Sequence, residues 1–129
     1  MNTVQEEERE RVEEMSLSKE QSLFLKDVVK LLTFASATGF DTTGGELYRT
    51  KEQQDIYVKE GKSKTSNSYH LKRLAIDLHF FKDGALIQDK ALLQAIGDYW
   101  ESLNPINKWG GNWSSFMDCP HFQRSYKGG

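Results

Sequence analysis

The chain has 129 residues, 37% of them hydrophobic, a formal net charge of −2 and one cysteine, Cys119. That length fits one domain around one modest core, a lone cysteine excludes an intrachain disulfide, and no apolar run approaches the ~18 residues that a membrane span needs. No basic stripe or nucleic-acid-binding signature accompanies the charge, so nucleic acid is not expected as a partner.

Residues 1–15 read as an acidic N-terminal extension. The first 17 positions hold six Glu against Arg9 and Arg11, a local net of −4 that leaves the remainder near +2. With almost no apolar periodicity, this stretch is expected to be a solvated helix extension or a disordered tail. Its acidic start, where a signal peptide is basic and then apolar, predicts a protein made in the cytoplasm without a signal peptide. Residues 16–129 are expected to form one folded domain. Ser18 with Gln21 has the form of a capping box, predicting a helix over 19–36 that buries Leu25, Val28, Val29 and Leu32. Gly39 ends it, and Thr42-Thr43-Gly44-Gly45 predicts a turn leading into a short strand or loop. Residues 51–60 are polar and helix-permissive, closed by Gly61, and 61–68 form a polar run expected as an exposed loop.

Leu74, Ile76, Leu78 and Phe80 alternate with Ala75, Asp77, His79 and Phe81, which predicts a strand with Asp77 facing away from the large apolar residues. Residues 82–84 read as a hairpin turn and 85–87 as its return strand. A helix over 89–103 should bury Leu92, Ile96, Tyr99 and Leu103, and Asn104-Pro105 stops it. Trp109-Gly110-Gly111-Asn112-Trp113 is a glycine-containing aromatic turn. A last strand over 116–123 would bring His121 back to the first strand, and 127–129 read as a frayed end.

His70, Asp77 and His121 are the residues through which this pattern carries chemistry. Three N/O ligands can hold one zinc ion and leave a fourth position for water, the arrangement of a catalytic site, provided the two strands are neighbours. Asp118, three residues before His121, is placed to take a proton from that water. Taken singly, each histidine is better read as a surface or hydrogen-bonded residue.

The blocks Ser68-x-His70, Ala75-x-Asp77-Leu78, Trp109-Gly110-Gly111-Asn112-Trp113 with Ser115-Phe116, and Asp118-x-Pro120-His121-Phe122 resemble the zinc D-alanyl-D-alanine carboxypeptidases and L-alanyl-D-glutamate endopeptidases. These enzymes cut the stem peptides of bacterial peptidoglycan. Tyr48-Arg49-Thr50 with Gln53 and Gln54 also looks like a family segment, so the resemblance covers most of 40–123. It is closest to the endopeptidase branch of phage endolysins and bacterial autolysins, because carboxypeptidase members usually carry glutamate where this chain has Asp118. One departure is Arg73, where the family commonly has glycine.

The resemblance implies an α+β fold, hedgehog/D-Ala-D-Ala peptidase-like, with helices packed on a small, mostly antiparallel sheet that carries a single zinc site. It implies Zn2+ held by His70, Asp77 and His121, Asp118 as general base, and Arg49 polarising the scissile carbonyl or holding a substrate carboxylate. Gln53, Ser68 and Trp109 are expected near substrate or behind the ligands, Ser68 alternatively as a turn cap. Trp109 and Trp113 read equally as cleft walls or as core aromatics, His79 as a substrate contact or a surface residue, and Cys119 as a small buried thiol. The implied activity is hydrolysis of the L-alanyl-D-glutamate bond by a monomeric endolysin or autolysin. Such a protein reaches the wall after release, through a holin or as part of a phage particle. The alternatives are a D-alanyl-D-alanine carboxypeptidase, or a non-catalytic wall-binding module on the same fold.

Overall fold

The computed structural model describes residues 3–63, 65 and 68–128, with the backbone alone described for 12–15. The elements are α1 (Thr3–Ala37), β1 (Asp41–Gly44), α2 (Lys51–Lys59), a 3-10 turn at Tyr69–Lys72, β2 (Ala75–Lys82), β3 (Ala85–Ile87), α3 (Lys90–Leu103), β4 (Asn107–Trp109), a second 3-10 turn at Gly110–Asn112, and β5 (His121–Arg124). The expected loop over 61–68 lies partly outside the described residues, as does the end of 127–129.

The fold is α+β, and β2 is the spine of an antiparallel sheet ordered β1-β2-β5-β4. The N-terminal half of β2 pairs with β5, and its C-terminal half pairs with β1 and β3. Asp83 and Gly84, both at positive φ, make the two-residue hairpin turn between β2 and β3, as the right-handed twist of paired strands favours. The alternation read from the sequence determines the faces: Leu74, Leu78 and Phe80 are buried in the core, while Asp77 points to the other side.

Both long helices differ in detail from the sequence reading. α1 runs unbroken through Ser18, so no capping box forms there, and Gln21 instead donates from Nε2 to the carbonyl of Lys72 at 2.8 Å. The glutamate-rich start is the solvated-helix alternative; Glu and Arg are good helix formers, and the described side chains of residues 3–11 are almost all exposed. The buried stripe is Phe24, Val28, Leu31 and Ala35, whereas Leu25, Val29 and Leu32 stay 37–63% exposed. Two apolar stripes lie side by side on this helix, and the ring of Phe24, edge-on to Trp100 at 5.6 Å, decides which turns inward.

In α3, capped by Asp89 through Ala91 N, the buried residues are Leu93, Ile96, Gly97 and Trp100, and Leu92 is exposed. Gly97 sets this rotation: a Cβ there would lie 2.0 Å from the ring of Trp109. Tyr99 stacks on Phe34 at the core margin, ring centroids 4.2 Å apart.

Phe122 packs among Phe80, Trp100 and Trp109 and joins sheet to helices. Each such fully buried side chain contributes about 1.5–3 kcal/mol. The final strand is shorter than expected, because residues 116–120 form a loop: Phe116 has φ +58 and Asp118 N donates to Gly110 O at 3.0 Å. β4 was not foreseen in the sequence. Among the described residues no helix is long and apolar enough to cross a membrane.

Candidate functional site

Asp77 and His121 are directly opposed across β2 and β5, so both side chains leave the same face of the sheet. The backbone of Asp77 is held on its other edge: its N–H donates to Glu46 O at 2.9 Å and its carbonyl accepts from Gly45 N at 2.7 Å. His70 arrives from the 3-10 turn before β2. Ser68 caps that turn by accepting from His70 N at 3.2 Å, and Arg73 closes it in the left-handed conformation, φ +55. Glycine adopts that conformation without strain, which gives the glycine expected at this position a physical reason.

Hydrogen bonds behind the rings orient the two imidazoles. His70 Nδ1 lies 3.1 Å from the carbonyl of Leu47. A carbonyl only accepts, so in the neutral ring Nδ1 carries the hydrogen and Nε2 offers a lone pair. His121 is the mirror case: Nε2 lies 2.7 Å from Gln123 Oε1, and Gln123 has its amide orientation fixed by donating to Ser125 Oγ. Nδ1 of His121 is therefore the free acceptor. Asp77 Oδ1 sits 3.3 Å from His70 Nε2 and 3.7 Å from His121 Nδ1.

One donor atom from each of these three residues lies within 4.8 Å of the others. His70 Nε2 and Asp77 Oδ1 are buried without a hydrogen-bond partner, an arrangement that normally costs about 1–3 kcal/mol per group. Three converging lone pairs repel one another unless a cation lies between them. Two imidazoles and a carboxylate, each held by backbone or by an outer hydrogen bond, suit a zinc-type ion.

The triad lines a cavity of about 740 Å³ together with Asp118, Arg49 and Trp113. Burial would raise the Asp77 carboxyl, but its contacts with His121 and His70 outweigh that and hold it well below the usual range. Asp118 goes the other way. Desolvation raises it above 3.8, the charge of Asp77 adds to the rise, and His121, His70 and Arg49 offset part of it. Two carboxylates in one cavity are thus driven apart in acidity, the condition for one to stay ionised while the other exchanges protons.

Arg49 is nearly enclosed. Its Nε donates to Glu46, its Nη1 donates to Gln54 Oε1 at 2.6 Å, and its guanidinium lies over the Tyr57 ring, 4.7 Å from the centroid. Gln54, fully buried, also donates from Nε2 to Ser63 Oγ at 2.9 Å and to the carbonyl of Thr65, joining the arginine to the 61–68 segment. Gln53 is not part of this network. Its N–H donates to the capping Thr50, and its side chain, one position round α2, does not line the cavity.

Trp109 is likewise away from the cavity, wholly buried with Nε1 donating to Cys119 O at 2.7 Å. Trp113 is the indole in the cavity wall, its ring 5.0 Å from that of His121. His79 pairs with Thr43 across β1, outside the cavity. Cys119 packs against the core, and burial, reinforced by Asp118, pushes its thiol up, so it is a weak nucleophile. Sequence reading missed Glu46, Tyr57 and Gln123. Of these only Gln123 left a signal, two residues beyond His121 and so on the same strand face.

Four likenesses to known proteins bear on the family of this chain. A family model described as D-alanyl-D-alanine carboxypeptidase matches residues 61–124. The L-alanyl-D-glutamate peptidase of Listeria phage A118 is 38% identical over 109 residues, which cover 77% of this chain and 36% of that protein. The peptidoglycan L-alanyl-D-glutamate endopeptidase CwlK of Bacillus subtilis strain 168 is 32% identical over 109 residues, covering 69% and 64%. The chain thus spans about a third of the first relative and just under two thirds of the second. The crystal structure of the Serratia marcescens L-Ala D-Glu endopeptidase ChiX superposes with a TM-score of 0.60 at 27% identity, covering 77% of this chain and 78% of that one. His70 on its 3-10 turn, Asp77 on β2 and His121 on β5 all lie inside the region matched by the family model, and in sequence and fold the chain is similar to D-alanyl-D-alanine carboxypeptidases and L-alanyl-D-glutamate endopeptidases.

Proposed function

We propose that this protein is a zinc-dependent peptidoglycan peptidase that hydrolyses the L-alanyl-D-glutamate bond of cell-wall stem peptides. The observation that carries this reading is the convergence of His70 Nε2, Asp77 Oδ1 and His121 Nδ1, the first two buried without a hydrogen-bond partner, beside the Asp118 carboxyl, whose pKa desolvation raises. His70, Asp77 and His121 are the residues that would hold the ion. When bound, zinc supplies Lewis acidity, polarising a carbonyl oxygen and making a water molecule more acidic.

The protein's own groups do the rest. Asp118 accepts the proton of the attacking water and returns it to the departing amine, a role its raised pKa suits. Arg49, held in place by Glu46 and Gln54, donates towards the carbonyl oxygen as negative charge gathers there, an interaction typically worth about 3 kcal/mol. Ser68 fixes the turn that presents His70, and Gln123 fixes the ring of His121. Trp113 walls the cavity next to that ring and limits water.

The endopeptidase assignment follows the activities named for the two relatives and for the crystal structure. The D-alanyl-D-alanine alternative rests on the name of the family model. The protein is proposed to act as a monomeric catalytic domain over 16–129 preceded by the acidic segment 1–15. It would be made in the cytoplasm and reach the wall as an endolysin, through a holin, or within a phage particle.

Digestion of purified peptidoglycan with and without a zinc chelator, with mass spectrometry of the released ends, tests the reading, and Asp118→Ala serves as control. New amino-terminal D-glutamate that disappears with chelator and with the variant is the expected result. Release of D-alanine would replace it with the carboxypeptidase. No release by zinc-loaded protein would leave a wall-binding module.

A further inference from the structure

The face of the sheet that bears Asp77 and His121 does not end at β5. Gln123 lies two residues beyond His121 on the same face, and Lys108 of β4 is its directly opposed partner. A second cavity, of about 620 Å³, opens there. Tyr69 and Gln123 line both cavities, so the two adjoin through the residue before His70 and the residue that holds His121.

The two cavities differ in charge. Glu46, Asp77 and Asp118 line the first, with Arg49 and Lys62. The second has Lys108 and Lys127, both exposed, the rings of Tyr69 and Tyr126, and no carboxylate among its described lining residues. A surface with two ammonium groups beside aromatic and amide side chains suits an extended peptide carrying free carboxylates.

We infer that this second cavity is a substrate subsite, occupied by the carboxylate-bearing tail of the stem peptide on the D-glutamate side of the cleaved bond, with Lys108 and Lys127 as its anion contacts. The inference rests on the peptidase reading above. That reading puts a peptide in the first cavity, and only the D-glutamate side of that peptide carries free carboxylates; the L-alanine side leads to neutral glycan. The subsite extends recognition beyond the two residues that flank the cleaved bond.

The test is binding of two fluorescent peptides to the full zinc-loaded chain carrying Asp118→Asn, measured by anisotropy at low ionic strength. One peptide ends at D-glutamate as its amide. The other continues through the diamino acid to a terminal carboxylate. The longer peptide is expected to bind at least about fivefold tighter, the double substitution K108Q/K127Q to abolish that advantage without weakening the shorter peptide, and added salt to do the same. Both lysines are exposed, so the variant folds, and its unfolding midpoint verifies this.

The inference is overturned if the two peptides bind equally, if neither binds, or if the advantage survives the double substitution. Cleavage by the chain with Asp118 intact is scored separately. If it leaves the L-alanyl-D-glutamate bond intact while the lysine-dependent advantage persists, the reaction is wrong and the subsite stands. Normal cleavage with no lysine dependence keeps the reaction and removes the subsite.

Discussion

A Cβ added to Gly110 would lie 2.2 Å from the carbonyl oxygen of Asp118. The contact is with backbone, which cannot rotate away, so the loop carrying the proposed base has to move. Gly110→Ala is expected to lower kcat/KM by at least about tenfold through a displaced base. The loss of stability should stay near 1–3 kcal/mol, the usual range for overpacking. Steady-state kinetics and denaturant unfolding of the same preparation check both.

Ion binding should be visible as stability. A ligand present at about 1,000 times its Kd adds about 4 kcal/mol to the folded state, so zinc is expected to raise Tm and a chelator to reverse the rise. His121→Ala should remove the shift altogether. Gln123→Ala, which frees the ring of His121 without removing a ligand atom, should weaken zinc binding about 10- to 100-fold. Calorimetric titration separates the two variants.

The raised pKa of Asp118 gives a pH signature. As a base it works only when ionised, so kcat/KM should climb with pH through a limb lying above 3.8. The stability sign is opposite to that of a paired carboxylate. A carboxyl whose folded pKa exceeds its unfolded one favours folding most below the unfolded value, and loses that contribution as pH rises through the folded pKa. Asp118→Asn, measured with chelator present, should therefore unfold no earlier than the parent at pH 7 while being inactive. Thermal scans across pH decide the matter.

Gln54 connects the arginine to the 61–68 segment by three hydrogen bonds from one buried amide. Gln54→Ala leaves those partners without it and should cost about 1–3 kcal/mol of stability. Catalysis should fall by about tenfold or more, because Arg49 loses one of its two anchors. Gln53→Ala, at a half-buried position outside that network, is expected to change neither. Comparing the two variants in one assay isolates the contribution of the amide.

Arg73 occupies a left-handed position and lays its guanidinium over the Tyr48 ring, 4.5 Å from the centroid. Arg73→Ala loses that contact and keeps the strain, whereas Arg73→Gly relieves it. The glycine variant should be about 1 kcal/mol more stable than the alanine variant, the reverse of their order inside a helix. Urea midpoints give the ranking directly.

The parts of this structure that were legible in the sequence are those that local chemistry determines. The alternation 74–81 put Asp77 on the open face, Asp83-Gly84 made its hairpin, and Gly39 and Gly61 ended their helices at positive φ. The block order around His70, Asp77, Asp118 and His121 pointed to residues that do share one cavity. What was not legible depends on partners remote in sequence. The rotation of α1 is decided by Trp100 and that of α3 by Trp109. The tautomer of His70 depends on the Leu47 carbonyl, a backbone group that no side-chain pattern announces. Gln53 and Gln54 differ by one position on α2, about 100° of rotation, and the amide facing Arg49 follows from the way α2 packs. Trp109 and Trp113 are separated in the same way, by Gly97, whose missing side chain makes room for one indole in the core.

The direct opposition of Asp77 and His121 has a consequence for quality control during folding. A slip of one residue between β5 and β2 would exchange faces, sending His121 into the space among Phe80, Trp100 and Trp109 and turning Phe122 out towards water. An imidazole cannot replace that benzyl ring without a large penalty, so the mispaired chain is both unstable and unable to assemble its ligands. Assembly of the proposed metal site and correct strand pairing are therefore a single all-or-none event, and the zinc stoichiometry expected of a preparation is the fraction of molecules that have paired these strands correctly.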